Sequence, residues 1–279
     1  MGLCFNVLGS GSSGNSTLIS DGPTNILVDN GFSYKEITRR LGEYGLPPEK
    51  ISAIVVSHEH GDHCDGVELF VRKQDIPVFM MKSTFDNLNK TLDKSSSKRK
   101  CKRAIDPSKH REISPGENFE IGSIGVTCFS LPHNSLPDDP VDTLGFVFEK
   151  NGVRVGIATD LGHVSNLVIE RLKGCAGIVL ESNHDVAMLK ASQRSWEIKQ
   201  RILGKHGHLS NAATAEYLTR DFDGTAAHVV LAHLSTECNL PDLALLTARR
   251  ALQERPDMRR AQTKIEIAYP DKISKTYQY

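Results

Sequence analysis

Four side chains able to bind a cation fall within six residues of one another: His58, His60, Asp62 and His63. They lie in Ser57-His58-Glu59-His60-Gly61-Asp62-His63-Cys64-Asp65-Gly66, directly after the apolar run Ile54-Val55-Val56, which reads as the end of a buried strand. His58 and His60 stand two apart, so on extended backbone their rings project to one side and can grip one ion. Asp62 and His63 lie past a turn at Gly61 that can aim them at a second ion. Imidazole and carboxylate are ordinary ligands of zinc and related divalent metals. A polar turn that happens to be His-rich is the bland alternative. Three of the chain's eleven His within six residues, with an Asp at a ligand offset, argue instead for a metal site.

Two ions need more ligands than one short segment supplies, and they should come from other strand ends. His133 follows the expected strand Val126–Leu131, Asp160 ends the apolar strand Val153–Thr159, and His233 ends the apolar strand His228–Ala232. Singly, each is an ordinary turn former or surface group. Together, in a chain that already carries the first cluster, they complete a dinuclear ligand set.

The elements that must position them are legible from pattern. Leu3–Leu8, Thr17–Ser20 and Asn25–Asp29 read as strands separated by Gly, Ser and Pro turns. Tyr34–Tyr44 has helical spacing, and Gly45 with Pro47-Pro48 stops it. A strand at Ala53–Ser57, a helix near Asp65–Gln74 and a short strand at Val78–Met81 follow. A strand pair fills 119–130, and Asn151-Gly152 marks a hairpin between Gly145–Glu149 and Val153–Thr159. Helices near Leu167–Leu172, Asn211–Thr219 and Leu240–Gln253 alternate with strands at Gly177–Leu180, His228–Ala232 and Lys264–Ala268. Strands dominate first and helices are interspersed, which predicts a mixed α/β (α+β) sandwich.

The 279 residues show no convincing linker, so a single domain over 1–279 is expected. Lys+Arg and Asp+Glu balance at 34 each, and no global charge points to nucleic acid or membrane. Six scattered cysteines without a C-x-x-C pair argue against a disulfide framework and a Cys-based zinc knuckle. With no signal-like or membrane-length apolar stretch, the expectation is a cytoplasmic protein without membrane association. One segment departs from neutrality. Lys90 to Arg111 holds nine basic residues against two acidic ones, a local excess of +7, and reads as an exposed, mobile basic loop at about 90–111. A weaker excess runs from Ala187 to Lys205. Either is a solvated face or a footprint for a polyanion.

In order and spacing, these motifs resemble those of the metallo-β-lactamase superfamily over nearly the whole chain. The resemblance implies a four-layer αββα sandwich with the site at one edge of the two sheets. It implies one metal held by His58, His60 and His133, the other by Asp62, His63 and His233, with Asp160 bridging. Asp29 corresponds to a residue supporting the metal loop, and Glu181 is grouped with it. His60 stands where flavodiiron-type members carry Glu, so zinc or manganese is expected and iron disfavoured. Asp160 and His233 are 73 positions apart, too few for the inserted domain of the RNA-processing exonuclease branch.

Within the superfamily the chain is similar to the YycJ/WalJ (VicX)-like branch, itself related to transfer-RNA 3′-processing phosphodiesterases. The shared segments are Gly9-Ser10-Gly11-Ser12-Ser13-Gly14-Asn15-Ser16, Glu181-Ser182-Asn183-His184-Asp185 and Gly207-His208-Leu209-Ser210-Asn211, with His233-Leu234-Ser235 and Asn239. The branch usually has Asp after Pro132-His133; here Asn134 stands there. The resemblance implies a phosphodiesterase or nuclease, DNA exonuclease-like, contacting nucleic-acid backbone. Catalytic roles fall to Asp62 and His208. Ser12, Ser13, His184, Ser210 and Asn211 are substrate-contact candidates, the glycine-rich turn as a backbone nest and Ser210 or Asn211 at a helix start. His110, His163, His206 and His228 read as structural or exposed, and Cys64 as packing. Two other readings remain: a small ester, thioester or lactone hydrolase on the same centre, and an accessory protein of envelope-stress signalling. Oligomeric state is left open.

Overall fold

In a computed structural model, the structure describes residues 2–96, 104–136, 139–255 and 263–279; the side chains of 92–96 and 134–142, Asn134 among them, lie outside that description. The first half contains strands β1 (Cys4–Gly9), β2 (Ser16–Ser20) and β3 (Asn25–Val28), helix α1 (Tyr34–Tyr44) and strand β4 (Ala53–Val55). Then come helices α2 (Gly61–Cys64) and α3 (Val67–Gln74), strand β5 (Val78–Met80), helix α4 (Lys82–Ser96) and strand β6 (His110–Glu112). The second half runs β7 (Asn118–Ile121), β8 (Ile124–Leu136), β9 (Asp139–Lys150), β10 (Val153–Ala158), α5 (Asn166–Leu172) and β11 (Gly177–Glu181). It continues with α6 (Val186–Ala191), α7 (Trp196–Leu203), α8 (Asn211–Arg220), β12 (His228–Ala232), α9 (Pro241–Gln253), β13 (Lys264–Ile267) and β14 (Tyr277–Gln278).

The strands form two sheets, β14-β1-β2-β3-β4-β5-β6 and β13-β12-β11-β10-β9-β8-β7. Alternation along each strand assigns the faces. Phe5, Val7, Ile26 and Val28 of the first sheet meet Phe146, Phe148, Val155 and Val179 of the second in one buried cluster between the sheets. The opposite residues of the first sheet, Leu18, Leu27 and Ile54, pack on Ile37 and Leu41 of α1 and Phe70 of α3. On the outer face of the second sheet, Ile178, Leu180 and Leu231 pack on Val168, Leu218 and Ala248 from α5, α8 and α9. The result is the αββα layering that the resemblance implies.

Two features of the sheets matter for chemistry. Strands β3 and β4, and separately β10, β11 and β12, run parallel, so their carboxyl ends open at one edge, where α/β sheets bind ligands. Asn151 and Gly152 both have positive φ, +51° and +79°, as a two-residue turn of primed type needs to join β9 to β10.

Several expectations are corrected. The basic stretch is not simply a loop: its first part belongs to α4, and 97–103 lies outside the described residues. Leu88 is buried in the core of the first sheet, Phe85 stacks flat on His110 at 4.2 Å, and Lys82 pairs with Asp86 at i,i+4. That apolar spacing was hidden under the lysines and serines. Helix α4 as a whole, the short helices α6 and α7, and strands β6 and β14 have no counterpart in the sequence reading. The helix expected near Asp65–Gln74 is found as α3, and the one-turn helix α2 before it lies in the stretch read as a His-rich loop.

Replacing Phe146, fully buried between the sheets, with alanine should cost about 3–5 kcal/mol of unfolding free energy. Urea titration followed by circular dichroism measures this, and a loss below about 1 kcal/mol would contradict the packing described.

Candidate metal centre

The carboxyl ends of the parallel strands deliver the site. Asp29 follows β3, Asp160 follows β10 by one residue, and His233 follows β12. All three adopt left-handed backbone, with φ of +60°, +63° and +56°. That conformation is uncommon for residues other than glycine. Here it turns the chain sharply off the strand and drives the side chain inward. His58 and His60 do not sit on the strand itself: β4 ends at Val55, and both belong to the loop beyond it. His133 is not at a strand end either. β8 continues to Leu136, and His133 lies where its pairing with β9 shifts register between Leu131 and Asn134. A bulge there re-aims a side chain that regular pairing would hold in the sheet.

Four groups of donor atoms converge, each within 4.8 Å: His58, His60 and His133; His58, His63 and Asp160; Asp62, His63 and His233; and Asp160, Glu181, His208 and His233. All seven ligand positions expected from sequence are therefore brought together. His58 Nε2 lies 2.9 Å from His60 Nδ1. His63 Nε2 lies 3.1 Å from Asp160 Oδ2, without the alignment of a hydrogen bond. His133 Nε2 is buried with no hydrogen-bond partner among the described residues. Imidazole nitrogens facing one another, and facing carboxylate oxygens, are what divalent cations between them would satisfy.

The ring orientations are fixed from behind. Asp29 accepts hydrogen bonds from Ser57 N at 2.7 Å and Ser57 Oγ at 2.9 Å, and its Oδ2 lies 2.8 Å from His63 Nδ1. His63 therefore turns Nε2 toward the cluster. His133 Nδ1 is 2.7 Å from the Gly207 carbonyl, with the same consequence. Glu181, fully buried, is the hub of the second sheet's contribution. Its Oε1 lies 2.8 Å from both His208 Nδ1 and His233 Nδ1, and its Oε2 accepts from Leu161 N and Leu209 N. With both oxygens so occupied, Glu181 positions imidazoles; it has little capacity left to bind an ion itself.

Burial and charge oppose each other throughout. Burial drives His58 well below the ordinary imidazole range, and His63 adds to the effect. Burial would also lower His63 and His233, yet nearby carboxylates win. Asp160 and Asp29 hold His63 well above its usual value, and Asp160, Asp62 and Glu181 push His233 up to about 10. Burial would raise the acids, but His233 and His63 keep both Asp62 and Asp160 low, Asp160 extremely so. Glu181 is held near about 2 against its burial by His208 and His233. The site thus recruits protons as cations when nothing else supplies positive charge, and metal ions would take their place.

The donor set opens into a cavity of about 330 Å³ whose lining includes His60, Asp62, His133, Asp160, His208 and His233. Ser12 reaches this cavity, whereas Ser13, His184, Ser210 and Asn211 do not line it. Ser210 caps α8 by accepting from Ala213 N, and Asn211 is tied to Ser182 and Asn239. His184 is buried, with neither ring nitrogen hydrogen-bonded among the described residues, and burial lowers its pKa to about 4. Cys64 is buried, its thiol directed to the carbonyls of Glu59 and His60, in keeping with packing.

The match of the Beta-lactamase superfamily domain profile spans residues 24–234. The chain belongs to this superfamily. It is 32 % identical over 247 residues to the protein named exodeoxyribonuclease WalJ of Streptococcus pneumoniae serotype 2 (strain D39 / NCTC 7466), covering 88 % of this chain and 87 % of that protein. Identity is also 32 % over 255 residues, 91 % of both chains, with the protein named exodeoxyribonuclease YycJ of Bacillus anthracis. The crystal structure of the metallo-β-lactamase fold protein YhfI from Bacillus subtilis superposes with a TM-score of 0.69 at 14 % identity, over 98 % of this chain and 99 % of that one.

Within this superfamily site, two groups escaped the sequence reading. The glycine-rich turn works chiefly through a side chain. Asn15 Oδ1 accepts from Ser10 Oγ and Gly11 N, while its Nδ2 reaches the Asp62 carbonyl at 3.3 Å and His63 Nε2 at 3.1 Å. An Asn inside a Gly/Ser turn is the usual signal of such a side-chain clamp. His206, read as structural or exposed, is exposed and lines the cavity together with Arg194 and Arg201. Gly31 permits the close packing of the metal loop, since a Cβ there would overlap the Asp62 carbonyl.

Asp29→Ala should cost about 3–5 kcal/mol of stability in the presence of chelator, because His63 and Ser57 lose a buried charged partner. Denaturant unfolding in EDTA measures it; a neutral substitution would show that Asp29 does not hold the loop.

Proposed function

We propose that this chain is a metal-dependent phosphodiesterase that acts on DNA as an exonuclease. The observation that carries the reading is the convergence of seven His and Asp donors beneath a cavity that His208 also lines. The two relatives named exodeoxyribonuclease, each matched over about nine-tenths of this chain, support the choice of substrate. His58, His60 and His133 would hold one divalent ion and Asp62, His63 and His233 a second, with Asp160 between the two groups. Zinc suits the imidazoles of this donor set and manganese its carboxylates. When bound, the ions supply Lewis acidity toward a phosphoryl group and acidify a water molecule.

The protein's own groups do the rest. Asp62, with a quarter of its side chain exposed at the cavity, orients the attacking water as a hydrogen-bond acceptor. Glu181 engages His208 through Nδ1, so Nε2 is the nitrogen offered to a phosphoryl or leaving oxygen. Asp29 and Glu181 preserve the ring directions on which both steps depend. Ser12, at the cavity wall, is placed to hydrogen-bond a phosphate oxygen. All five described cysteines are free thiols, which supports a reducing, cytoplasmic setting. Among the described residues no helix is long and apolar enough to cross a membrane.

The test is digestion of end-labelled single- and double-stranded DNA and RNA with added Zn²⁺ or Mn²⁺, beside a panel of thioesters and lactones. DNA should be shortened from an end, His58→Ala and Asp160→Ala should abolish the activity, and His208→Ala should lower kcat by about 10²–10⁴. Hydrolysis of thioesters or lactones with no cleavage of any polynucleotide would overturn the reading in favour of a small-ester hydrolase.

A further inference from the structure

The cavity has a wall that the metal ligands do not explain. Besides them, its lining includes Arg194, Ile198, Arg201 and Ile202, all from α7 and the turn that leads into it. Ile198, Arg201 and Ile202 are three and four apart and so share one helix face. Ile198 is 49 % exposed, an apolar side chain offered to the cavity without cover from the protein. Arg201 is exposed and has no acidic partner among the described residues. Arg194 is steadied by Glu237 Oε2 at 2.9 Å from its Nε, which engages one of the five guanidinium donors. Lys199 is not available to a ligand: its ammonium donates to the Lys190 and Ser192 carbonyls at 2.7 Å, pinning α7 to the end of α6.

This wall is built into the site. His208 N donates to the Ile202 carbonyl at 3.0 Å, and the next carbonyl upstream of His208, that of Gly207, is the one that orients His133. A Cβ at Gly207 would overlap the carbonyls of Ile202 and Arg201, so the turn sits directly against the last turn of α7. Arg201 and Ile198 are thereby held at a fixed offset from a metal-ligand candidate and from the catalytic imidazole. A cavity of about 330 Å³ is at the small end of ligand sites, and a duplex whose major groove alone is about 12 Å wide cannot enter it.

Resting on the phosphodiesterase reading above, we infer that the α7 wall is the subsite for the nucleotide next to the scissile bond, entered by a single strand. Ile198, backed by the buried Ile202, covers the sugar and base face, and Arg201 with Arg194 takes the following phosphate. Neither contact reads base edges, so the subsite orients the strand without selecting its sequence. The described residues of the larger basic excess play no part in it. Of its described members, Lys109 pairs with Asp75, Arg111 donates to the Ser108 and His110 carbonyls, and none of Lys90, Lys109 and Arg111 lines the cavity.

Three substrates separate the parts: bis-p-nitrophenyl phosphate, thymidine 5′-(p-nitrophenyl phosphate) and a single-stranded DNA oligonucleotide. In the metal-loaded protein, Arg201→Ala should lower kcat/KM for the oligonucleotide relative to the thymidine ester about tenfold, through KM, and reduce the salt dependence by about one phosphate contact. Arg201→Lys should recover part of the loss. Ile198→Ser should lower the thymidine ester relative to bis-p-nitrophenyl phosphate severalfold. Unchanged ratios in an Arg194→Ala/Arg201→Ala double variant and in Ile198→Ser, with the wild type cleaving all three substrates, would overturn the wall alone. A wild type that cleaves none of the three would overturn the phosphodiesterase reading on which it rests.

Discussion

Four carboxylates, from Asp29, Asp62, Asp160 and Glu181, and six imidazoles, from His58, His60, His63, His133, His208 and His233, meet at one edge of two sheets. Most are removed from water, where an unpaired charge costs several kcal/mol. The arrangement is tolerable because each acid faces an imidazole, and three of the imidazoles that could ligate are braced from behind. Asp29 behind His63, the Gly207 carbonyl behind His133 and Glu181 behind His233 all leave Nε2 aimed at a neighbour's donor atom. The cluster concentrates negative charge and lone pairs and waits for cations. The rest of the fold can be understood as the scaffold that keeps this charge density from relaxing.

That scaffold works through backbone geometry as much as through packing. Parallel strands bring their carboxyl ends to one edge, and three residues there, Asp29, Asp160 and His233, occupy left-handed backbone that costs a non-glycine residue of order 1 kcal/mol or more. The strain is held by the sheets around it. The buried apolar layer between Phe146, Phe148 and Val155 on one side and Phe5 and Val28 on the other fixes the two strand edges relative to each other. Donors from the first sheet's loops, His58 to His63, can then meet donors from the second sheet, His133, Asp160 and His233.

Much of this was legible in the sequence because the ligand types are rare and their spacing is dense. The His58–His63 segment announces itself, and Asp160 and His233 stand at the ends of short, continuous apolar runs. Positions set by irregular backbone were less legible. His133 depends on a bulge inside a longer strand, and His58 and His60 converge from a loop, not from extended backbone. Asn15 was visible as part of a turn, but its link to Asp62 and His63 spans 47 and 48 residues of chain and is purely tertiary. Helix α4 was masked because its apolar contacts, Phe85 and Leu88, are few among lysines and serines. The described residues of the basic run lie away from the cavity, while two arginines of the weaker excess line it.

The account depends on the cluster being a site for two cations, not a polar core that happens to be rich in histidine. Native mass spectrometry of the purified chain after loading with Zn²⁺ or Mn²⁺ tests this most directly. Two tightly held divalent ions per chain, with at least one lost in Asp160→Ala, is the predicted result. A chain that takes up no ion under these conditions would contradict it.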